Sequence, residues 1–204
     1  TTDTLKAAPV GEYASLEEGL TNLIAVIGEN MNLRRVTRLS VNEGVVASYM
    51  HSATAPNLGK IGVLVAIEST GNQEKLLDLG KKIAMHIAAS APIALEIADV
   101  DAATLEREKN ILIEQARESG RPEEIIQKMV EGRVSKFYEE IVLLEQAFVM
   151  DGKTKISQFV DATAKEIGTP IKITGFARYA LGEGIEKEQS DFAAEVQAQA
   201  AGNR

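Results

Sequence analysis

Two histidines, 30 carboxylates and no cysteine make up the reactive inventory of this 204-residue chain. His51 and His86 have no ligand partner at the short spacing a zinc or other transition-metal site needs. With no cysteine there is no thiolate nucleophile and no disulfide framework. Gly182-Glu183-Gly184 resembles a phosphate loop, but it lacks the GxxxxGK[ST] pattern and the acids around it would repel phosphate. Arg34, Arg35 and Arg38 could hold an anion, although arginines on a strand more often pair with acids across the sheet. No carboxylate sits in an apolar run that would tune it for proton transfer. The inventory makes no positive case for an enzyme, calls for no cofactor or metal, and points to a binding or assembly protein.

Composition narrows the class further. The net charge of −8 argues against a primary nucleic-acid binder, which would show a clustered basic excess. No apolar run reaches the roughly 18 residues of a membrane span. The net acid excess lies at the two ends. Residues 1–30 hold five against Lys6, residues 183–195 hold five against Lys187, and the body between is nearly neutral. The opening Thr-Thr-Asp-Thr reads as a boundary within a longer protein, and the lack of cysteine suits a reducing cytoplasm.

The elements follow from periodicity. Ser15 and Glu18 form a capping-box pattern ahead of Leu16, Leu20, Leu23, Ile24 and Ile27 at helical spacing, with Gly28 as the stop. From Met31 to Glu68 the texture is that of strands, with Val45, Ala47 and Tyr49 alternating in one and Ile61, Val63, Val65 and Ile67 in another. The arginine-bearing stretch before Asn42-Glu43-Gly44 reads as a third neighbouring strand, and Thr54 to Gly59 as a loop. A helix is expected over 73–91, with a core stripe of Leu76, Leu79, Ile83 and Ile87, Gly80 for close approach to the sheet, and His86 on the flank. Helices over 102–118 and from Pro122 to about 138 make a tight hairpin whose seam is Leu105, Leu112 and Ala116 against Ile126, Met129, Val130 and Phe137. A short helix near 156–166, a strand over 171–180 and a last helix from about Lys187 complete an α+β fold. It has an antiparallel sheet of three to four strands, packed helices and an inserted helical hairpin.

Seven segments in one order resemble the elongation factor Ts family. They are Ile27-Gly28-Glu29-Asn30-Met31-Asn32-Leu33-Arg34-Arg35, Lys60-Ile61-Gly62-Val63-Leu64-Val65, and Ile83-Ala84-Met85-His86-Ile87-Ala88-Ala89-Ser90. Then come Lys128-Met129-Val130-Glu131-Gly132-Arg133, Phe148-Val149-Met150, Gly182-Glu183-Gly184-Ile185-Glu186-Lys187 and Ser190-Asp191-Phe192-Ala193-Ala194-Glu195. The family's Thr-Asp-Phe-Val-Ala motif does not occur in these residues, and Ser190-Asp191-Phe192-Ala193 echoes it only in part.

The resemblance implies a guanine-nucleotide exchange factor for elongation factor Tu, acting without covalent chemistry in the cytoplasm, or in the mitochondrial matrix for an organellar member. It implicates Ile61, Gly62, His86, Val149, Met150, Asp191 and Phe192 in partner contact. It also divides the chain into a leading helix left from a truncated first half of the core (1–30), a sheet-and-helix subdomain (31–100 and 140–182), a coiled-coil arm (101–139) and a carboxy-terminal module (183–204). A chain of this form is expected to bind Tu but to exchange nucleotide poorly, because the family's Asp-Phe pair that enters the partner's magnesium site is missing. The alternative is an assembly module, homodimeric through the helical hairpin.

Overall fold

The computed structural model describes residues 1–118 and 120–185. Two helices, α1 (Thr2–Lys6) and α2 (Leu16–Ile27), precede a hairpin of β1 (Gly44–Ala55) and β2 (Leu58–Glu68). There follow α3 (Gln73–Ser90), the helical hairpin α4 (Ala102–Arg117) and α5 (Glu123–Ile141), α6 (Ile156–Ile167) and β3 (Lys172–Ala180). Short 3-10 turns at Ile97–Asp99 and Leu143–Glu145 complete the described elements. The sheet is antiparallel in the order β1-β2-β3, so the α+β class and the three-stranded sheet agree with the sequence reading.

Capping chemistry places the helix ends close to where the residues foretell them. Ser15 Oγ accepts from Glu18 N–H, while the Glu18 carboxylate reaches Ala14 N–H, one residue ahead of the usual reciprocal partner. Gly28 closes α2 in the left-handed conformation, and Asn72 caps α3, which ends before Pro92. Pro122 stands at the cap of α5, one position before its first turn.

The pleat sorts the strands into two faces. Val45, Ala47, Val63, Val65, Ile67 and Ile173 are buried on one, against the stripe Leu76, Leu79, Ile83 and Ile87 of α3. Burying each such aliphatic side chain contributes roughly 1.5–3 kcal/mol. Gly80 makes the approach possible, since a Cβ there would lie 2.5 Å from Ala47 Cβ. Leu143, Phe148, Ile156 and Val160 extend the same core around the far side of α3.

Two stretches differ from expectation. Residues 31–42 form no strand. They cross the sheet's second face, where Thr37 Oγ1 accepts from Tyr179 Oη at 2.9 Å and the Arg35 guanidinium lies 4.4 Å from the Tyr179 ring centre. A strand needs an edge to pair with, and β1 and β3, at the two edges of the sheet, are not taken up by this segment. Residues 54–59 are less of a loop than composition suggests. The strands run to Ala55 and from Leu58, and Asn57 takes the left-handed turn position (φ 62°).

The helical hairpin carries its own small core of Leu112, Ala116, Ile126 and Val130, which Ile113 and Val134 complete in place of the expected Leu105, Met129 and Phe137. Its root is bound to the body by Leu143 N–H to Ala94 O and Leu144 N–H to Leu95 O. The expected helix after Lys187 lies outside the described residues.

Gly80→Ala tests the α3 contact. Alanine raises helix propensity by about 1 kcal/mol, but overpacking against Ala47 costs about 1–3 kcal/mol. The variant is therefore expected to unfold at a lower urea midpoint, by about 1 kcal/mol net, and an unchanged or raised midpoint would show that the interface has slack.

Candidate partner-binding site

Residues 146–156 leave the 3-10 turn, reverse direction and enter α6, with Ala147 bridged to Lys155. The reversal is made by Asp151. Its Oδ1 accepts from Lys153 N–H (2.9 Å) and Thr154 N–H (3.0 Å), while Asp151 N–H and Gly152 N–H both donate to Phe148 O. The Thr154 side chain and these two amides hold the Asp151 carboxyl below its ordinary range. Phe148 turns inward and stacks on Phe159 with ring centres 4.6 Å apart. Val149 and Met150 turn outward at the tip, 43% and 68% exposed. An inward aromatic anchor thus lies beside an outward apolar pair.

His86 stands behind this loop. The helical stripe puts it beside Ile83 and Ile87, and instead of lying at an accessible flank it is wholly buried (0% exposed). Its Nε2 is 2.8 Å from Gln146 Oε1, and its Nδ1 accepts from Val149 N–H at 3.3 Å. Gln146 Nε2 in turn donates to Glu140 O at 2.6 Å. The flank that one helix alone leaves open is covered by the chain 60 residues later, so the His86 ring is enclosed and does not reach the surface. Gln146, the other half of the pair, has no sequence signal apart from a polar residue set among Leu143, Leu144 and Phe148. Burial pulls the His86 pKa down, and the Gln146 hydrogen bond only partly opposes it.

Ile61 and Gly62 are sequence neighbours on opposite faces of β2. Ile61 pairs with His51 and Ala180 and packs at the margin of the core, while Gly62 pairs with Met50 and Tyr179 on the face crossed by residues 31–42. A Cβ on Gly62 would stand 3.3 Å from Met50 Sδ, so packing alone already favours a small residue there. Gly62 borders a cleft of about 350 Å³ with Arg34, Arg35, Met50, Leu58 and Tyr179. The structure thus does not gather Ile61 and Gly62 into one patch. Asp191 and Phe192 lie outside the described residues.

The Gly182-Glu183-Gly184 turn is an acid-binding arrangement turned inside out. The Glu183 carboxylate accepts from Arg178 at 2.7 Å and Arg35 at 3.3 Å, and its backbone carbonyl accepts from Arg34. Partial burial works against the charge of Glu183, but the hydrogen bonds from Arg35, Ala180 N–H and Arg178 outweigh it and keep the carboxyl low. Arg35 thus pairs with an acid, although not from a strand, while Arg34 donates to the main-chain carbonyl of the same residue. Among the described residues no group of three His, Asp or Glu is placed to hold a metal ion. Nor, among them, is any helix long and apolar enough to cross a membrane.

The lowered pKa of His86 has a definite sign in stability. The folded state favours the neutral ring, so the unfolded chain takes up the proton first, near the ordinary value of 6.5. The stabilisation is complete above that pH and is lost as pH falls from there through the folded pKa. Urea midpoints are expected to drop as pH is lowered from about 7 to about 5, with a shallower slope in His86→Gln. Equal slopes in the two proteins would detach His86 from the pH response.

Comparison with known proteins gives a consistent result. The family model described as Elongation factor TS matches residues 1–183. Elongation factor Ts of Rhodospirillum centenum is 64% identical over 186 residues, covering 91% of this chain and 61% of that protein. The protein of the same name from Paramagnetospirillum magneticum is 59% identical over 95% of this chain and 62% of its own length. That of Rhodospirillum rubrum is 57% identical over 97% and 64%. The chain spans a little over three fifths of the length of these relatives. It belongs to the elongation factor Ts family.

Proposed function

We propose that this chain binds elongation factor Tu in its nucleotide-free form and so promotes the release of GDP. The observation that carries the reading is the Val149–Met150 pair, exposed at the tip of a loop whose base is fixed by a buried histidine and an aromatic stack. Membership of the family supports the choice of partner. An apolar side chain presented on a rigid base loses little conformational entropy on docking, which is where loop-borne contacts gain affinity.

The mechanism is thermodynamic linkage. A protein that binds the nucleotide-free partner more tightly than the nucleotide-bound one weakens nucleotide binding by the same factor. No bond is made or broken in this chain, and the action is that of a non-covalent exchange factor in the cytoplasm. Within it, Val149 and Met150 make contact directly, and Ile61 and Gly62 contribute from opposite faces of the first half of β2. His86 acts behind the contact, through the Val149 amide. Asp191 and Phe192 belong to the same proposed surface by resemblance alone. The hairpin arm buries its apolar seam between its own two helices, which favours this reading over assembly through that arm.

Two measurements test the proposal. Titration of nucleotide-free Tu is expected to give a complex that Met150→Ala weakens about tenfold, the effect of removing one well-buried apolar side chain. Unchanged affinity for both Met150→Ala and Val149→Ala would remove the loop from the interface. In stopped-flow release of a fluorescent GDP, the 204 residues alone are expected to bind yet accelerate release weakly, because they hold no Thr-Asp-Phe-Val-Ala sequence. Full-rate exchange would sink that part.

A further inference from the structure

A neutral imidazole has one donor and one acceptor nitrogen, and which is which follows from its neighbours. Val149 N–H can only donate, so the His86 Nδ1 facing it is the acceptor, and the ring proton sits on Nε2. That proton needs an acceptor, and Gln146 Oε1 stands 2.8 Å away. A carboxamide could present either end. Here the choice is forced by Glu140, whose carbonyl lies in the last turn of α5 and accepts from Gln146 Nε2. A helix leaves its final carbonyls without intrahelical donors, and Leu144 N–H, the residue that would have served Glu140, donates to Leu95 O instead. The orphan carbonyl therefore orients the amide, the amide selects the tautomer, and the tautomer holds the loop amide. Every group in this chain is fixed in direction, and both side chains are buried, at 0% and 4% exposure.

We propose that Gln146 is a positioning residue for the docking loop, setting the His86 tautomer that anchors Val149 N–H and thereby the outward posture of Val149 and Met150. This rests on the reading of that loop as a contact for Tu. The residue touches no partner itself. Its effect on binding is transmitted wholly through the Val149–Met150 pair, and that is what separates it from a residue that only fills the core. It also makes the root of the helical arm, through Glu140, part of the same hydrogen-bonded unit as the loop tip.

The test combines nuclear magnetic resonance on the free chain with a double-mutant cycle on the complex. In the wild-type chain, the long-range proton–nitrogen spectrum of His86 is expected to show Nε2 protonated and Nδ1 bare, with a slowly exchanging Val149 amide. A ring protonated on Nδ1, or a Val149 amide that exchanges as fast as an unbonded one, would overturn the proposal without any variant. In Gln146→Met, which keeps the volume and removes both hydrogen bonds, the tautomer signal should become mixed and Val149 exchange at least about tenfold faster. Affinity for Tu should fall about fivefold with Met150 in place, and by less than about twofold in the Met150→Ala background. Equal losses in the two backgrounds would make Gln146 a general stabiliser and end the proposal. If the wild-type chain bound no Tu, the functional reading would fall, while the tautomer and exchange measurements would still decide whether Gln146 and His86 hold the loop.

Discussion

Gly80 of α3 lies against Ala47 so closely that a single added carbon would stand 2.5 Å from the alanine methyl, and much of the molecule depends on that approach. It seats the stripe Leu76–Leu79–Ile83–Ile87 on the inner face of the sheet. The rotation of α3 about its axis is fixed by that seating, because a one-residue turn of the helix would swing the stripe by about 100° and lift it off the strands. Once the rotation is fixed, His86 has only one direction to face. That direction is the flank over which residues 143–148 are folded, with Leu143 and Phe148 joining the same core. The loop of residues 146–156 is thus placed by a helix–sheet contact made elsewhere in the molecule. Polar and apolar parts agree here: the core buries the imidazole, and the imidazole finds two partners in place of water.

The second face of the sheet is held by a different kind of interaction. Residues 31–42 lie over it through a cation–π contact, a hydroxyl pair and the ion pairs of Glu183. Exposed ion pairs of this kind are individually worth little, roughly 0–1 kcal/mol each. What they supply is direction, since one carboxylate bridges Arg35 from the crossing segment and Arg178 from β3. The acidic residue at the head of the carboxy-terminal charge cluster is therefore engaged inside the chain. The excess of acid near the end of the sequence is not all free surface charge.

The exchange role proposed above needs no reactive side chain, and the buried aliphatics, the buried His86 and the outward apolar pair are compatible with it. In that proposed role the free energy comes from binding, and a loop already held in one shape in the free state loses less of it to ordering. The turn closed by the Asp151 carboxylate, the Phe148–Phe159 stack and the Gln146–His86 pair each restrict that loop. They do so on three sides of it: solvent, core and the root of the arm.

Much of this was legible in the residues. The caps at Ser15 and Gly28, the stripe of α3, the glycine at its closest approach, the alternation of β1 and β2 and the tight helical hairpin all arise from interactions within a few residues, which spacing and residue type encode directly. Phe148-Val149-Met150 stands out in sequence as an apolar triplet ahead of Asp151-Gly152, but which of its side chains turn outward does not. For residues 31–42 the strand texture is a local property, while a strand exists only by pairing, and neither edge of the sheet, β1 or β3, takes the segment up. His86 was placed at an open edge because one helix read alone shows no layer over its flank. Gln146 went unseen because its meaning rests on a carbonyl six residues before it and a ring 60 residues earlier. The sequence by itself settled which elements form and which face of each is apolar. Only the tertiary structure decided what is brought against those faces, since contacts between distant segments depend on how the layers stack, and no local pattern carries that information.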